Sequence, residues 1–158
     1  MTQLTRVLNT IIFTFTPVTA GYSAITLKAD TLQAEEAFLS EPQFKNPKAD
    51  TFAAADGTSG ALVQNQATNG TRDITVFEAP EVDALTAWTQ KKPMPVFNLK
   101  VQYDLDNGSE IISRIQEHKY CTFTAPGVPA LGGNGAPVVK FSIAFMTLTK
   151  KNGDGTSL

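Results

Sequence analysis

At 158 residues the chain fits one domain and buries enough surface, about 70% of that of its unfolded form, to hold a core without disulfides or metals. Its formal charge of −2, from 13 basic and 15 acidic side chains spread along the chain, excludes the basic run by which proteins grip nucleic-acid phosphates. A lone cysteine, Cys121, excludes an intramolecular disulfide framework, and no segment approaches the roughly 20 apolar residues of a spanning helix.

Residues 1–24, MTQLTRVLNTIIFTFTPVTAGYSA, have the outline of a signal peptide: an Arg, an apolar run, then small residues. Asn9, Thr10, Thr14 and Thr16 break that run in a two-residue rhythm, which favours a strand. Val7, Asn9, Ile11, Phe13 and Phe15 fall on one side, and Leu8, Thr10, Ile12 and Thr14 on the other. Pro17 ends the strand and Gly21 sits in the turn before a second one, Tyr22 to Lys28, so the chain is expected to open with a hairpin. From about 29 to 69 the pattern dissolves into a long irregular insertion. A short helix is expected in TLQAEEAFL with Asp30 as its N-cap, followed by Pro42, Pro47 and the cluster ADGTSG. Connections of this length are commonly functional, and this one is expected to reach a neighbouring subunit.

Order returns with a strand over RDITVFEA, residues 72–79. The helix APEVDALTAWTQKK follows, with Pro80 in its first turn, Glu81 and Asp83 at the positive end of its dipole and Lys91 and Lys92 at the negative end. Val82, Leu85 and Trp88 would face a sheet, and Pro93 and Pro95 stop the helix. Residues 96–105 alternate again, with Phe97, Leu99, Val101 and Tyr103 against Asn98, Lys100 and Gln102. The DNG at 106–108 predicts a type I′ hairpin turn into a partner strand over 109–117. KYCTFTA, residues 119–125, reads as another strand. After the Gly- and Pro-rich GVPALGGNGAP, Val138 to Thr149 places Val139, Phe141, Ile143 and Phe145 on one face. The expected fold is mainly β: an antiparallel sandwich or half-barrel of about six or seven strands with one flanking α-helix, forming a single domain over residues 1–158.

Motifs for chemistry fail one by one. Gly127 and Gly132 have P-loop spacing, but Gly133 and Asn134 stand where Lys and Ser/Thr are needed, and the loop opens a strand rather than a helix. A dinucleotide fingerprint begun at Gly133 has Val138 in its last glycine position. His118 and Cys121, three apart in a strand, should point to opposite faces, leaving a solvent-facing His and a half-buried Cys rather than a nucleophile and base. DLDNGSE has its glycine one place too early for a calcium loop. Neither an enzyme, a cofactor nor a metal is expected.

The last strand's second face (Val138, Lys140, Ser142, Ala144, Met146 and Leu148) is too apolar for open water and too polar for a closed core. It fits burial against another subunit, or equally an ordinary sandwich strand with one partly covered face. The order of helix, PMPVFNLKVQYDLDNGSEIISRI and HKYCTFTAPGVPALGGNGAPVVKFSIAFMTLTK resembles the C-terminal half of tail tube proteins of contractile-tailed phages. It is also similar to the related tubes of R-type pyocins and type VI secretion systems. Those proteins have a hairpin with a short polar turn, then a strand, a "GARGGE"-like loop and a long closing strand; here LGGNGAPVVKFSIAFMTL takes that place. The resemblance spans about residues 72–150. The chain departs from it in the 29–69 segment and in having Asn134 and Ala136 where the family has an acidic residue.

The resemblance implies a structural virion protein. Hexameric rings would share their inner strands in one barrel and stack into a hollow tube, through which DNA passes during ejection. Its partners would be further copies of itself, the tail sheath, baseplate and tail terminator proteins, with DNA and the tape measure protein in the lumen, and no membrane. Assembly would take place in the host cytoplasm. Candidate lumen or subunit-contact residues are Asn98, Lys100, Gln102, Glu110, Arg114, Gly132, Gly133, Lys140 and Ser142; either hairpin could line the bore. The alternatives are another phage structural protein (tube terminator, baseplate ring or capsid decoration protein) or a ligand-binding β-sandwich. The last would need clustered exposed aromatics, and only Trp88 and three Tyr are on offer besides phenylalanines.

Overall fold

The alternation along Val7–Phe15 becomes strand β1 (Val7–Pro17), which pairs antiparallel with β2 (Ile25–Asp30) to form the expected hairpin. This is seen in a computed structural model that describes residues 5–30, 38–44, 49–53, 59–63, 68–129, 131 and 137–158. The remaining elements are β3 (Gln43–Phe44), β4 (Ala49–Ala53), β5 (Ser59–Val63), β6 (Thr68–Phe77), α1 (Pro80–Thr89), β7 (Phe97–Asp106), β8 (Ile111–Ala125) and β9 (Val138–Asn152). Seven strands make one sheet in the order β2-β1-β7-β8-β9-β6-β3, every neighbouring pair antiparallel, while β4 and β5 pair only with each other.

One face of this sheet carries the core. Phe13, Phe15, Phe97, Phe123 and Phe141 are fully buried there, with Ile74, Leu99, Val101, Val139 and Ile143 among them. The rings meet in tilted contacts, centroid to centroid 4.8 Å for Phe97–Phe123 and 5.6 Å for both Phe15–Phe97 and Phe123–Phe141, the offset geometry aromatic quadrupoles prefer. Helix α1 covers this face with Val82, Leu85 and Trp88, as its three-residue spacing predicts. Gly127 passes directly over Phe141: a Cβ there would lie 2.1 Å from the ring, so only glycine lets the chain leave β8 this close to the core.

The sheet curls. Thr26, Leu27 and Lys28 of β2 and Val76 and Phe77 of β6 line the same hollow of about 340 Å³, although three further strands and β1 separate them in the sheet. Beyond β6, residues 38–44 cover its outer edge: Thr75 N–H donates to the Phe38 carbonyl at 2.9 Å and Ser40 N–H to the Asp73 carbonyl at 3.0 Å, and β3 pairs with Thr71 and Gly70. The result is an antiparallel half-barrel with a single flanking helix.

Several local expectations change. A bulge between Leu8 and Thr10 shifts the register, so Val7 is exposed while Ile11, Phe13 and Phe15 stay inside. Asp30, the expected N-cap, is the last residue of β2 and pairs with Thr10. Residues 31–37 of that expected helix lie outside the described residues, and its last residue, Leu39, bridges to Ile74. The 29–69 insertion, read as irregular, contains β3, β4 and β5. Helix α1 ends at Thr89, so Lys91 and Lys92 stand beyond its last turn. The hairpin turn is a four-residue loop and not type I′: only Gly108 has positive φ (+92°), and the Asn107 side-chain oxygen accepts from the N–H groups of Ser109 and Glu110 at 3.0 and 2.9 Å. Residues 111–117 and 119–125 form one strand, β8, running straight through His118.

Truncating Phe141 to Ala should remove about 3–5 kcal/mol of stability. The check is equilibrium urea unfolding, with a lower midpoint and an unchanged slope; an unaltered midpoint would place Phe141 outside the core.

Candidate assembly surface

On the outer face of the sheet, away from the aromatic core, the polar residues of each strand come into register. Asn98, Lys100 and Gln102 of β7 do share this face, as their alternation predicts. Lys100 is exposed in a row with Thr14 of β1 and Glu117 of β8. Gln102 lies between Ile12 and Ile115, the latter 5% exposed although it is not part of the inner core. Asn98 supports the backbone instead. Its side-chain oxygen accepts the Tyr120 N–H at 3.0 Å and so holds an irregularity in β8. A hollow of about 250 Å³ opens here between Thr14, Thr16, Lys100, Glu117 and Lys119. Glu117 is tied to Lys151 of β9 by a 2.9 Å ion pair, part-exposed and so worth little to stability by itself.

The other candidate residues scatter. Lys140 and Ser142 are on the outer face of β9, but in the row of Thr75 and Asp73; Ser142 donates its hydroxyl to Asp73 at 2.7 Å. Lys140 is nine residues along β9 from Thr149, which pairs with Glu117 beside Lys100; this is roughly 30 Å at the rise of a strand. Arg114 pairs with Tyr103 and faces the opposite side from Lys100, its guanidinium donating to the Ser113 carbonyl at 3.1 Å. Glu110 is exposed in the β7–β8 loop. Gly132 and Gly133 lie outside the described residues.

Sequence reasoning misses the most unusual spot on this face. Asn69 and Tyr120 both have left-handed backbones, φ +58° and +55°, and they flank Met146 of β9 from the strands on either side. For an aromatic residue within a strand this is a conformational outlier. Next to them Gly70 makes room for Phe145, whose ring a Cβ would approach to 2.6 Å. Tyr120 and Met146 are 54% and 53% exposed, and with Phe44, Thr71, Thr122 and Ala144 they border a concavity of about 530 Å³. No local composition marks Tyr120 as left-handed. The only signal is the excess of one residue between two alternating runs, 111–117 and 121–123.

That excess residue overturns the reading of His118 and Cys121. The bulge reverses the alternation, so both side chains point inward, and both are fully buried rather than solvent-facing and half-buried. Burial pushes the Cys121 thiol up to about 12, partly offset by a hydrogen bond with the Leu99 backbone, so no thiolate forms at neutral pH. His118 is held from two sides. Arg72 Nη1 lies 3.0 Å from Nε2 and the Leu99 carbonyl 3.2 Å from Nδ1. A guanidinium only donates, so Nε2 accepts and Nδ1–H donates to Leu99, which is the neutral imidazole. Burial first, and the Arg72 charge second, lower the His118 pKa from 6.5 to about 4. Arg72 also donates to Gln116 at 2.5 Å and to the Ser40 carbonyl at 2.6 Å; burial brings its own pKa down to about 10, which leaves it charged. These groups bind β6, β8 and the 38–44 segment together. They present no nucleophile to solvent.

Chains of the same fold occur in contractile injection machines. A chain of the PVC sheath–tube complex, an extracellular contractile injection system in its extended state, superposes with a TM-score of 0.59 at 10% identity, over 89% of this chain and 88% of that one. A chain of the anti-feeding prophage baseplate, 6-fold symmetrised, gives 0.63 at 7% identity over 97% and 99%. A chain of the anti-feeding prophage cap, which terminates its tube, gives 0.51 at 12% over 89% and 87%. No family model and no curated protein matches the sequence. The resemblance to contractile-tail tube proteins drawn from element order is therefore met at the level of fold.

A neutral, buried His118 makes stability depend on pH in one direction. Its folded pKa lies below its unfolded value, so the folded state binds fewer protons. Its contribution is complete above about pH 6.5 and is lost as pH falls towards 4, on the order of 3 kcal/mol. His118→Gln keeps an acceptor for Arg72 but does not titrate. Thermal melts from pH 7 to pH 4 should fall more steeply for the parent than for the variant, because the carboxylate contributions are common to both; equal slopes would mean His118 is not held neutral.

Proposed function

We propose that this chain is a structural ring-forming subunit of the tube of a contractile injection machine. Copies associate side by side into hexameric rings, and the rings stack into a hollow tube. A sheath surrounds it, baseplate and terminator proteins close its ends, and in a phage tail the tape measure protein and DNA occupy the bore. The observation that carries this reading is the fold match along nearly the whole chain to components of such machines. The physical case agrees with it: a half-barrel whose single helix covers one face leaves an outer face bearing Tyr120 and Met146 in water, which a neighbouring copy would bury. The mild negative charge suits a bore that must not retain passing phosphates.

A second reading has its own support. The baseplate chain matches over 97% of this chain and 99% of its own length, so a single ring at the end of a tube is the alternative to the repeating tube subunit.

Negative-stain microscopy of the purified protein separates them. Long hollow tubes are expected for the tube subunit, single rings or short stacks for an end ring, and a persistent monomer at high concentration would remove both. Residues 45–67 are proposed to reach a neighbouring subunit. Replacing them with a short Gly/Ser loop leaves β3 on its edge and should give a folded protein without tubes, whereas normal tubes would refute that role.

A further inference from the structure

Two apolar patches stand far apart on the outer face of the sheet. The first is the tip of the β7–β8 hairpin and the start of β1. There Val7 and Ile111 flank Asp106 in one cross-strand row and are 63% and 61% exposed. The second is the concavity beside Tyr120 and Met146. Ile111 and Tyr120 belong to the same strand, nine residues and roughly 30 Å apart, so neither patch can cover the other within one molecule.

The two patches are complementary. The tip projects, and carries the carboxylates of Asp106 and Glu110 beside Ile111, with Arg6 preceding Val7 as the nearby cation. The concavity recedes, and Lys119, exposed and preceding Tyr120 in β8, lines the neighbouring hollow with Lys100 and Glu117. Its shape depends on the left-handed backbones of Asn69 and Tyr120, and for the aromatic Tyr120 that conformation is an outlier of the kind that collects where a surface must fit something. A ring of identical subunits needs just this pairing, one patch meeting a different patch on the next copy, and closes when the rotation between copies closes.

We infer that the β7–β8 hairpin tip of one copy seats Val7 and Ile111 in the Tyr120–Met146 concavity of the next, with Asp106 and Glu110 facing Lys119. The contact rests on the ring assembly proposed above and names the surfaces that make it. It also gives the exposed side chains of Tyr120 and Met146 an apolar partner.

Disulfide trapping with the full chain tests it. Ile111→Cys/Met146→Cys protein, oxidised after assembly, should run as a ladder of linked oligomers on a non-reducing gel and collapse under reductant. Each single-cysteine variant should stay at the monomer position, since Cys121 is buried. Both positions are more than half exposed, and unchanged melting temperatures would confirm folding. Independently, Lys119→Glu and Glu110→Lys should each raise the concentration needed for assembly by about an order of magnitude, and the two together should restore it. Rings or tubes in the microscope without the ladder would overturn this contact and leave the proposed function standing. A dimer band from Ile111→Cys alone would indicate a two-fold contact and overturn it equally. A chain that forms neither assemblies nor a ladder would overturn both.

Discussion

A sheet has two faces, and among the described residues one short helix, α1, stands ready to cover them. Everything else follows from that shortage. The inner face takes the large aromatics and α1, and the curl that brings β2 towards β6 wraps the sheet around them. The outer face receives threonines, lysines, carboxylates and amides, which water satisfies. It also receives Ile12, Ala144, Met146 and Tyr120, which water does not. The half-barrel leaves apolar area at Tyr120 and Met146 uncovered.

Two departures from regular strand geometry shape that outer face. The bulge at Tyr120 lets β8 bend, and Asn98 holds the bend by accepting its backbone N–H. Asn69 produces a matching irregularity on the other side of β9. Together they convert a flat strip into a concavity with an aromatic and a thioether at its rim. On the inner side the same bulge brings His118 and Cys121 into the core, where Arg72 and Leu99 engage them. A buried guanidinium is costly unless its donors are used. Here Ser40, Gln116 and His118 use them, so the cluster doubles as the tie between β6, β8 and the segment that covers the sheet's edge.

The titratable groups of this buried cluster serve packing. Catalytic centres hold titratable groups near solvent with their pKa values shifted towards neutrality. The buried His118 and Cys121 are moved away from reactivity: the imidazole is kept neutral, the thiol is kept protonated, and both are closed off from water. What the surface offers instead is exposed apolar area at two distant points, Val7 with Ile111 and Tyr120 with Met146.

Much of the fold was legible residue by residue. Period-two alternation identified β1, β7 and β9 and the side of β9 that is buried, because facing alternately to core and water leaves that rhythm directly in the composition. Pro80, Pro93 and Pro95 bracketed the helix, and the Asn107-Gly108 pair located the hairpin turn, since those residue types act on their own backbone. The sequence by itself thus determined β1, α1, β7 and β9, the antiparallel class and the aromatic face, but not the strands within 29–69 or the continuity of β8. Only the tertiary structure decided the strand order β2-β1-β7-β8-β9-β6-β3, the covering of β6 by residues 38–44, and the burial of His118 against an arginine 46 positions away. It alone also placed Lys100 and Lys140 far apart and made the concavity beside Tyr120. These depend on pairings between distant segments and on one extra residue that reverses which way a strand's side chains point. Local pattern does not encode such a reversal; it is set by the strands on either side.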